Sequence, residues 1–491
     1  MKRFSPLVGL LILLACQQPE SLLSVPDTRD EGGVIVHLFE WTWSDIAQEC
    51  EQFLGPAGYG AVQVSPPGEN HIIGGRPWFE RYQPVSYRLE SRSGSREEFA
   101  DMVARCDQAG VDIYADVLLN HMADADLIHE GDLVFSGTGT AGSLFGPWEF
   151  PGLFGYDDFH HCDQTENGHI ADWNDRIQLT ECELVGLADL ATETQPVRET
   201  LAAYLNDLVS LGVSGFRLDA AKHLSSDDIQ AILDMVEDPG YIVQEIATGG
   251  RMANWVLPYI SNGDITAFSY TEAMGELIRQ RSWADLAPTG WFWNSREFIP
   301  SSEALIFVDN HDRQRGHGGA AAISHRDGIT YDLAQVYTLT WPYGRKRVMS
   351  SYAFDHDSEG PPMHEDESIR SVFSESGLNC GLGEWVCEHR RPAIAGAVAF
   401  SNAVSAGAPV THWWTNESDQ IAFGRGNEGF VVINGSGKQM VTSLQSGLPE
   451  GEYCNRLSNE ECEIILVSNE SRVQVNLASQ RAIAIDLGAV R

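Results

Sequence analysis

The run VDIYADVLL, residues 111–119, follows directly on a helix-like stretch at residues 96–110, and this succession of helix and buried strand sets the rhythm of the chain. Toward the N-terminus, AVQV (61–64) and VIVHLF (34–39) are apolar runs of the same kind, with an amphipathic stretch at residues 44–54 between them. Toward the C-terminus come GFRLD (215–219), YIVQE (241–245), ITAF (265–268), ALIFV (304–308) and RVM (347–349), mostly with helical patterns between them. Short apolar runs alternating with helices describe strands of a parallel sheet buried on both faces. Eight of them favour closure into a (β/α)8 barrel, the TIM-barrel form of the α/β class.

Two stretches break the rhythm. Residues 122–190 show no clear helix and are rich in Gly, Asp, His and aromatics. Structureless loops of that length are rare, so a small domain inserted after the third strand is expected. Beyond about residue 408 the pattern becomes short strands and turns, as in QIAF (420–423), GFVVI (429–433), RVQVN (472–476) and AIAI (482–485). The expected organisation is a barrel over residues 33–121 and 191–407, an inserted domain over 122–190, and an all-β sandwich over 408–491.

The chain of 491 residues carries 32 basic and 70 acidic side chains, a formal net charge of -38. Such a surface repels nucleic acid and anionic membranes, which excludes partners recognised through phosphate. At the N-terminus Lys2 and Arg3 precede a short apolar run, and LLAC (13–16) resembles the lipobox of bacterial lipoproteins. That reading makes residues 1–15 a signal peptide, Cys16 the lipidated first residue, and residues 16–32 a tether, so that a lipid anchor is the sole membrane contact. The alternative is an ordinary signal peptide cut nearby, with the protein secreted. Either way the chain is exported, and eight cysteines remain for an oxidising compartment. Cys380/Cys387 and Cys454/Cys462 are spaced to clip local loops and Cys162/Cys182 a longer one, which leaves Cys50 with Cys106.

Functional groups of a (β/α)8 barrel gather at the C-terminal ends of its strands. Asp219 ends the fourth strand, with Arg217 on the same face because side chains alternate. Glu245 ends the fifth strand, and Asp309-Asn310-His311-Asp312 follows the seventh, with Asn310 and Asp312 again sharing a face. Three carboxylates from distant parts of the chain are thus directed to one rim. Glycoside hydrolysis needs two carboxyl groups across the scissile bond, one ionised and one protonated. A third nearby carboxylate would raise the proton affinity of the acid.

The ordered motifs VIVHLFEW (34–41), VQVSPP (62–67), RYQPVSY (81–87), Asn120-His121, GFRLDA (215–220), Lys222-His223, Gln244-Glu245, FVDNHD (307–312), QRGHG (314–318) and RVMSS (347–351) resemble the α-amylases of glycoside hydrolase family 13. They are most similar to the animal-type, chloride-dependent branch, which includes bacterial members. The resemblance implies endo-hydrolysis of α-1,4-glucans such as starch and glycogen with net retention, by a monomer. It implies Asp219 as nucleophile, Glu245 as general acid/base and Asp312 as transition-state stabiliser. By the same resemblance Trp78, Tyr82, His121, Lys222, His311 and His317 bind substrate. Asn120, Asp189 and the main-chain carbonyls of Thr180 and His223 would hold a structural calcium ion, and Arg217, Asn310 and Arg347 an activating chloride. Oxygen donors suit a hard cation. A bound anion would offset the pull of Arg217 on Glu245 and keep the acid protonated.

The chain departs from the family pattern at Phe79, at Arg313, at Ile246-Ala247-Thr248 and at Arg391-Pro392, all outside the catalytic carboxylates. Two other readings stay open at this level: a relative that forms defined maltooligosaccharides or transfers glucosyl units, and a lipid-anchored glucan-binding protein without turnover.

Overall fold

The computed structural model describes residues 33–124, 137–247, 254–290, 292–293, 298–319, 323–374, 377–381, 383–459 and 461–491. The signal segment, Cys16 and the tether expected at the N-terminus lie outside the described residues, as does Thr248. Eight parallel strands close a barrel in sequence order: β1 (Val34–Leu38), β2 (Tyr59–Val64), β3 (Asp112–Leu118), β4 (Gly215–Asp219), β5 (Tyr241–Gln244), β6 (Asp264–Thr266), β7 (Ala304–Ile306) and β8 (Arg345–Ser350). These are the eight strands expected from the sequence. Two end early: Glu245 and residues 307–312 lie just past the last ladder residues of β5 and β7. Strand alternation divides the barrel in two. Val36, Val62, Val117, Leu218 and Val348 face the surrounding helices. Ile35, Ala61, Tyr114, Val243 and Leu305 form a separate cluster that fills the barrel.

The principal helices are α1 (Trp43–Glu49), α2 (Arg96–Gln108), α3 (Arg176–Glu181), α4 (Gln195–Ser210), α5 (Ser226–Leu233), α6 (Phe268–Arg279), α7 (Ile329–Thr340) and α8 (Pro392–Ala403). Their starts follow from local chemistry. Ser95 and Glu98 form a capping box on α2, and Ser225 accepts from the Asp228 N–H on α5. The insert between β3 and β4 holds a short ribbon, Gly137–Thr138 with Leu144–Phe145, and the helix α3. That helix was not expected from the sequence. Six residues capped by Asp175 are too short to display an apolar period.

Beyond α8 the chain forms β9 (Val410–Thr415), β10 (Gln420–Arg425), β11 (Gly429–Asn434), β12 (Met440–Gln445), β13 (Gly451–Cys454), β14 (Ile464–Val467), β15 (Arg472–Leu477) and β16 (Arg481–Asp486). They make two four-stranded sheets, β9-β10-β11-β16 and β12-β15-β14-β13, packed over Phe430, Val432, Met440, Leu444, Val475 and Ile485. Arg425 joins this sandwich to the barrel by donating to the Thr340 carbonyl at the end of α7, 2.8 Å away.

The four disulfides are Cys50–Cys106, Cys162–Cys182, Cys380–Cys387 and Cys454–Cys462, the pairing that the spacing suggested. Cys454 ends β13 and Cys462 lies in the turn just before β14, so that bridge clips the hairpin between the two strands and both of its cysteines are only half-buried. Cys50–Cys106 closes the longest loop, with a sequence separation of 56, and both of its cysteines are buried between α1 and α2. Chain-entropy arguments give a loop of that length about 4 kcal/mol of constraint on the unfolded chain. The Cys50→Ala/Cys106→Ala pair is therefore expected to lower the thermal midpoint more than Cys380→Ala/Cys387→Ala, whose loop separation is 7. Parallel calorimetric scans of the two variants decide this, and equal midpoints would contradict it.

Candidate active site

Each carboxylate owes its position to a strand end. In β4 the inward-facing positions are Gly215, Arg217 and Asp219, and the chain then turns through Ala220 in a left-handed conformation, φ 50°. That turn aims the Ala220 N–H at Oε2 of Glu245, which accepts it at 3.0 Å. The Glu245 N–H donates to the Leu218 carbonyl at 3.0 Å, so the ends of β4 and β5 stay in register past the last ladder residues. Asp312 lies in a single helical turn, His311–Gln314, capped by Asn310. The Asn310 amide donates to Asp312 Oδ2 at 3.1 Å and its oxygen accepts from the Arg313 N–H at 2.9 Å.

Arg217 joins these parts. Its Nη1 lies 2.6 Å from Asp219 Oδ1 and 2.7 Å from Asp116 Oδ1, and its Nη2 lies 2.9 Å from Glu245 Oε1. One buried guanidinium thus binds three carboxylates, two of them the expected nucleophile and acid/base. Asp116, in the middle of β3, also accepts from the Tyr82 hydroxyl at 3.1 Å. The sequence reading missed it, although its alternation with Tyr114 in VDIYADVLL places it on the inward face.

The electrostatics follow from four enclosed acids, Asp116 and Asp219 buried and Glu245 and Asp312 half-buried, around few cations. Burial pushes Asp219 well above the usual carboxylate range, against the pull of Arg217 and with Glu245, Asp116 and Asp312 adding to the rise. Asp312 is pushed up to about 7 by burial and by Glu245, with Arg217 opposing. Burial also raises Glu245, but Arg217, the Ala220 N–H, Lys222 and Arg347 outweigh it and hold that carboxyl below its ordinary value. Such a cluster retains a proton near neutrality, and the balance at Arg217 decides whether Glu245 carries it.

One wall of the cleft is a stack of rings. Tyr82 lies parallel to His311 at 5.1 Å, and Trp78 stands edge-on to His311 at 5.4 Å and to His317 at 5.3 Å. His121 is fixed through Nε2 to the Tyr82 carbonyl at 3.1 Å, and burial lowers it to about 4, a neutral imidazole at pH 7. Lys222 stands on the other side, toward the insert. Its main-chain N–H donates to the Glu245 carbonyl at 3.3 Å and its ammonium lies 5.2 Å from the Trp173 ring. Trp173 is half exposed beside this cation and is a second residue the sequence reading missed, because only the folded insert brings it to Lys222.

The residues expected to hold ions are partly assembled. The Asn120 amide meets Asp189 Oδ1 at 3.1 Å, and His223 Nδ1 meets the carbonyl of Leu179, the neighbour of Thr180, at 3.0 Å. Asp189 is enclosed, and burial pushes it up to about 7 even though His160 Nδ1 lies 2.7 Å away. A buried acid, a side-chain amide and main-chain carbonyls are the donor types a hard cation takes, and the Asn120 NH2 is turned to Asp189. Among the described residues no three His, Cys, Asp or Glu side chains are grouped so as to hold a metal ion, so the remaining ligands would be main-chain oxygens. Arg347 is buried, donates to Gln63 Oε1 at 2.7 Å and packs over Phe307, and no ion pair among the described residues includes it. Burial and the repulsion of Arg217 lower it to about 10. Two neighbouring buried guanidiniums, one of them outside any such pair, fit a small anion; the Asn310 amide is turned toward Asp312.

Residues 81–245 match the family described as "Alpha amylase, catalytic domain", and residues 413–488 match "Alpha amylase, C-terminal all-beta domain". Pancreatic α-amylase of Sus scrofa is 43% identical over 465 residues, 89% of each chain. An α-amylase-related protein of Drosophila teissieri is 46% identical over 442 residues, covering 86% of this chain and 85% of its own. The crystal structure of wild-type α-amylase I from Eisenia fetida superposes with a TM-score of 0.85 at 36% identity, covering 93% of this chain and 97% of its own. With an eight-stranded parallel barrel, an all-β C-terminal domain and these animal-type relatives along most of its length, the chain belongs to the α-amylase family of glycoside hydrolases, family 13.

Proposed function

We propose that this protein is a retaining endo-hydrolase of α-1,4-glucosidic bonds in starch, glycogen and related maltooligosaccharides, with Asp219, Glu245 and Asp312 as its catalytic groups. The observation that carries the assignment is the shared guanidinium. Arg217 binds Asp219 and Glu245 at 2.6 and 2.9 Å, so one guanidinium draws together the two carboxyl groups, in keeping with the short separation of a retaining pair. Asp219 attacks the anomeric carbon while Glu245 passes its proton to the departing glycosidic oxygen. A glycosyl ester on Asp219 results. Glu245, now ionised, takes a proton from water as that water displaces Asp219 with a second inversion. Asp312 faces the same centre and favours the cationic sugar of both transition states.

The ring wall of Trp78, Tyr82 and His311 offers apolar faces and donors to glucose units, and Lys222 bounds the opposite side. A mutant of the Eisenia fetida relative was crystallised in complex with maltohexaose, a ligand of the proposed substrate class. Asn120, Asp189 and the carbonyls of Thr180 and His223 would hold calcium, whose charge would tie the insert to the barrel end. Arg217 and Arg347, with Asn310, would hold chloride, whose negative charge favours the protonated form of Glu245. The four disulfides and the family favour export, and no described helix is long and apolar enough to cross a membrane. Anchoring through a lipidated Cys16 belongs to this proposal and is read directly from the mass of the mature N-terminal peptide.

Glu245→Gln removes proton transfer but keeps the side-chain shape, and is expected to lower kcat on soluble starch by about 10²–10⁴-fold. Starch binding should persist. A reducing-sugar assay beside a pull-down on starch granules checks both, and full activity in the variant would end the assignment.

Chloride removal provides an independent check on the sign of the electrostatics. Glu245 must be protonated to act, and Arg217 holds its carboxyl low, so withdrawing a neighbouring anion lowers it further. The alkaline limb of the kcat/KM profile is then expected to move to lower pH in chloride-free gluconate buffer. An unmoved limb would remove chloride from the account. Excess EGTA should lower the thermal midpoint by weakening the attachment of the insert, and an unchanged melting curve would argue against calcium.

A further inference from the structure

Residue 313 is where this chain departs from its family immediately beside the catalytic Asp312, and the structure gives the departure a use. Arg313 is largely buried. Its Nη2 lies 2.6 Å from Oε1 of Glu272, on α6, and its guanidinium packs over the Phe268 ring at 5.1 Å. The side chain is therefore held at one end by its own helical turn and at the other by α6.

The loop that follows rests on this guanidinium. Gly316, Gly318 and Gly319 have φ of 85°, 63° and 105°, so the segment has little backbone preference of its own. Its main-chain hydrogen bonds among the described residues are few: the Gly316 N–H to the Arg313 carbonyl at 3.3 Å, the His317 N–H to the Asp312 carbonyl at 3.0 Å, and the Gly319 N–H to the Gly316 carbonyl at 3.4 Å. A Cβ on Gly319 would lie 2.4 Å from Arg313 Nη1, so the glycine backbone lies directly on the guanidinium. On its other side the loop presents His317 to the edge of Trp78 at 5.3 Å. A glycine-rich segment with three weak turns is fixed by what lies beneath it, and here that is a clamped cation.

We propose that Arg313, held by Glu272, is a positioning residue that fixes residues 316–319 and so presents His317 to substrate at the Trp78 wall. The inference rests on the glucan-hydrolase reading for its kinetic consequence but not for its structural one. The Arg313 side chain touches neither the reacting bond nor the carboxylates. Its loss loosens a binding group and leaves proton transfer intact.

The test compares Arg313→Asn, Arg313→Lys, Glu272→Gln and His317→Ala with the wild type, each first checked for an unchanged circular dichroism spectrum. Arg313→Asn should raise KM for maltooligosaccharides about fivefold or more with kcat changed by less than about twofold, the signature of lost binding common to ground and transition states. Glu272→Gln should move KM in the same direction, and Arg313→Lys should restore part of it. Adding Arg313→Asn to His317→Ala should cost little more than His317→Ala alone, because both act through one imidazole. Additive effects, or an unchanged KM in Arg313→Asn, would overturn the proposal. Hydrogen exchange of the 316–319 amides reads the structural claim separately. Faster exchange in Arg313→Asn is expected even if the wild type hydrolyses no glucan, and unchanged protection would refute the clamp whatever the kinetics.

Discussion

A guanidinium enclosed at the mouth of the barrel is the constraint on which the site depends. A charge taken out of water costs several kcal/mol unless ionised and hydrogen-bonded partners surround it. Arg217 finds them in Asp116 from β3, Asp219 from its own strand and Glu245 from the end of β5. The requirement acts in both directions. The cation must collect three acids, and acids so crowded could not remain buried together without it. Removing the cation alone would strand the carboxylates, a loss on the order of 3–5 kcal/mol for a buried pair. A lysine would not serve, since one ammonium cannot present the planar fork that reaches Asp219 and Glu245 from separate nitrogens.

The barrel supplies this arrangement through alternation. Below lies an apolar plug of Ile35, Ala61, Tyr114, Val243 and Leu305. Two residues further along the strands come His37, Gln63, Asp116, Arg217 and Arg347, all buried. Within that layer contacts run from Arg217 through Asp116 and Gln63 to Arg347. A chain with 32 basic and 70 acidic residues has few cations to place. Among the described residues Arg76, Arg81, Arg217, Arg313, Arg315, Arg347 and Arg425 are buried, and no lysine is. Arginine keeps its charge and spreads it over five donors, which suits enclosed positions. Buried acids without a cation, such as Glu69 and Asp309, are held instead by neutral hydrogen-bond donors.

How much of this was legible in the sequence depended on the kind of signal. The barrel strands were, because each is a continuous apolar run between helices. The disulfides were, because three of the spacings are short and Cys50 and Cys106 are then the pair left over. The three carboxylates proposed for catalysis were, because strand ends mark them. Asp116 was not recognised: it alternates with Tyr114, but only the folded barrel shows that the Tyr114 set faces the interior. β9, β12, β13 and β14 escaped notice because their outward residues, among them His412, Ser443 and Glu452, dilute the apolar run that identified β10 and β11. Trp173 and the Arg313–Glu272 pair depend on parts of the chain distant in sequence, and no local pattern encodes such a meeting.

The two sides of the cleft are held by different forces. The ring wall is a packed cluster: Phe39, Trp78, Tyr82, His311 and Tyr352 lie stacked or edge-on, with the Arg315 guanidinium among Phe39, Trp78, Tyr352 and Phe354. The insert divides. Phe145, Phe150, Phe154 and Phe159 join the main core, whereas residues 162–187 have a small separate cluster of Ile170, Leu179 and Cys182, tied by Cys162–Cys182. That second part reaches the barrel through Arg176, which donates to the Lys222 carbonyl at 3.2 Å and to the Tyr259 hydroxyl at 2.9 Å and packs over Trp255 at 4.5 Å. Next to it stands the Lys222–Trp173 contact, on a half-exposed ring. Packing is insensitive to ionic strength and partly exposed polar contacts are not. Changes in salt therefore act first on the Lys222 side of the cleft, while the wall that carries His311 keeps its shape.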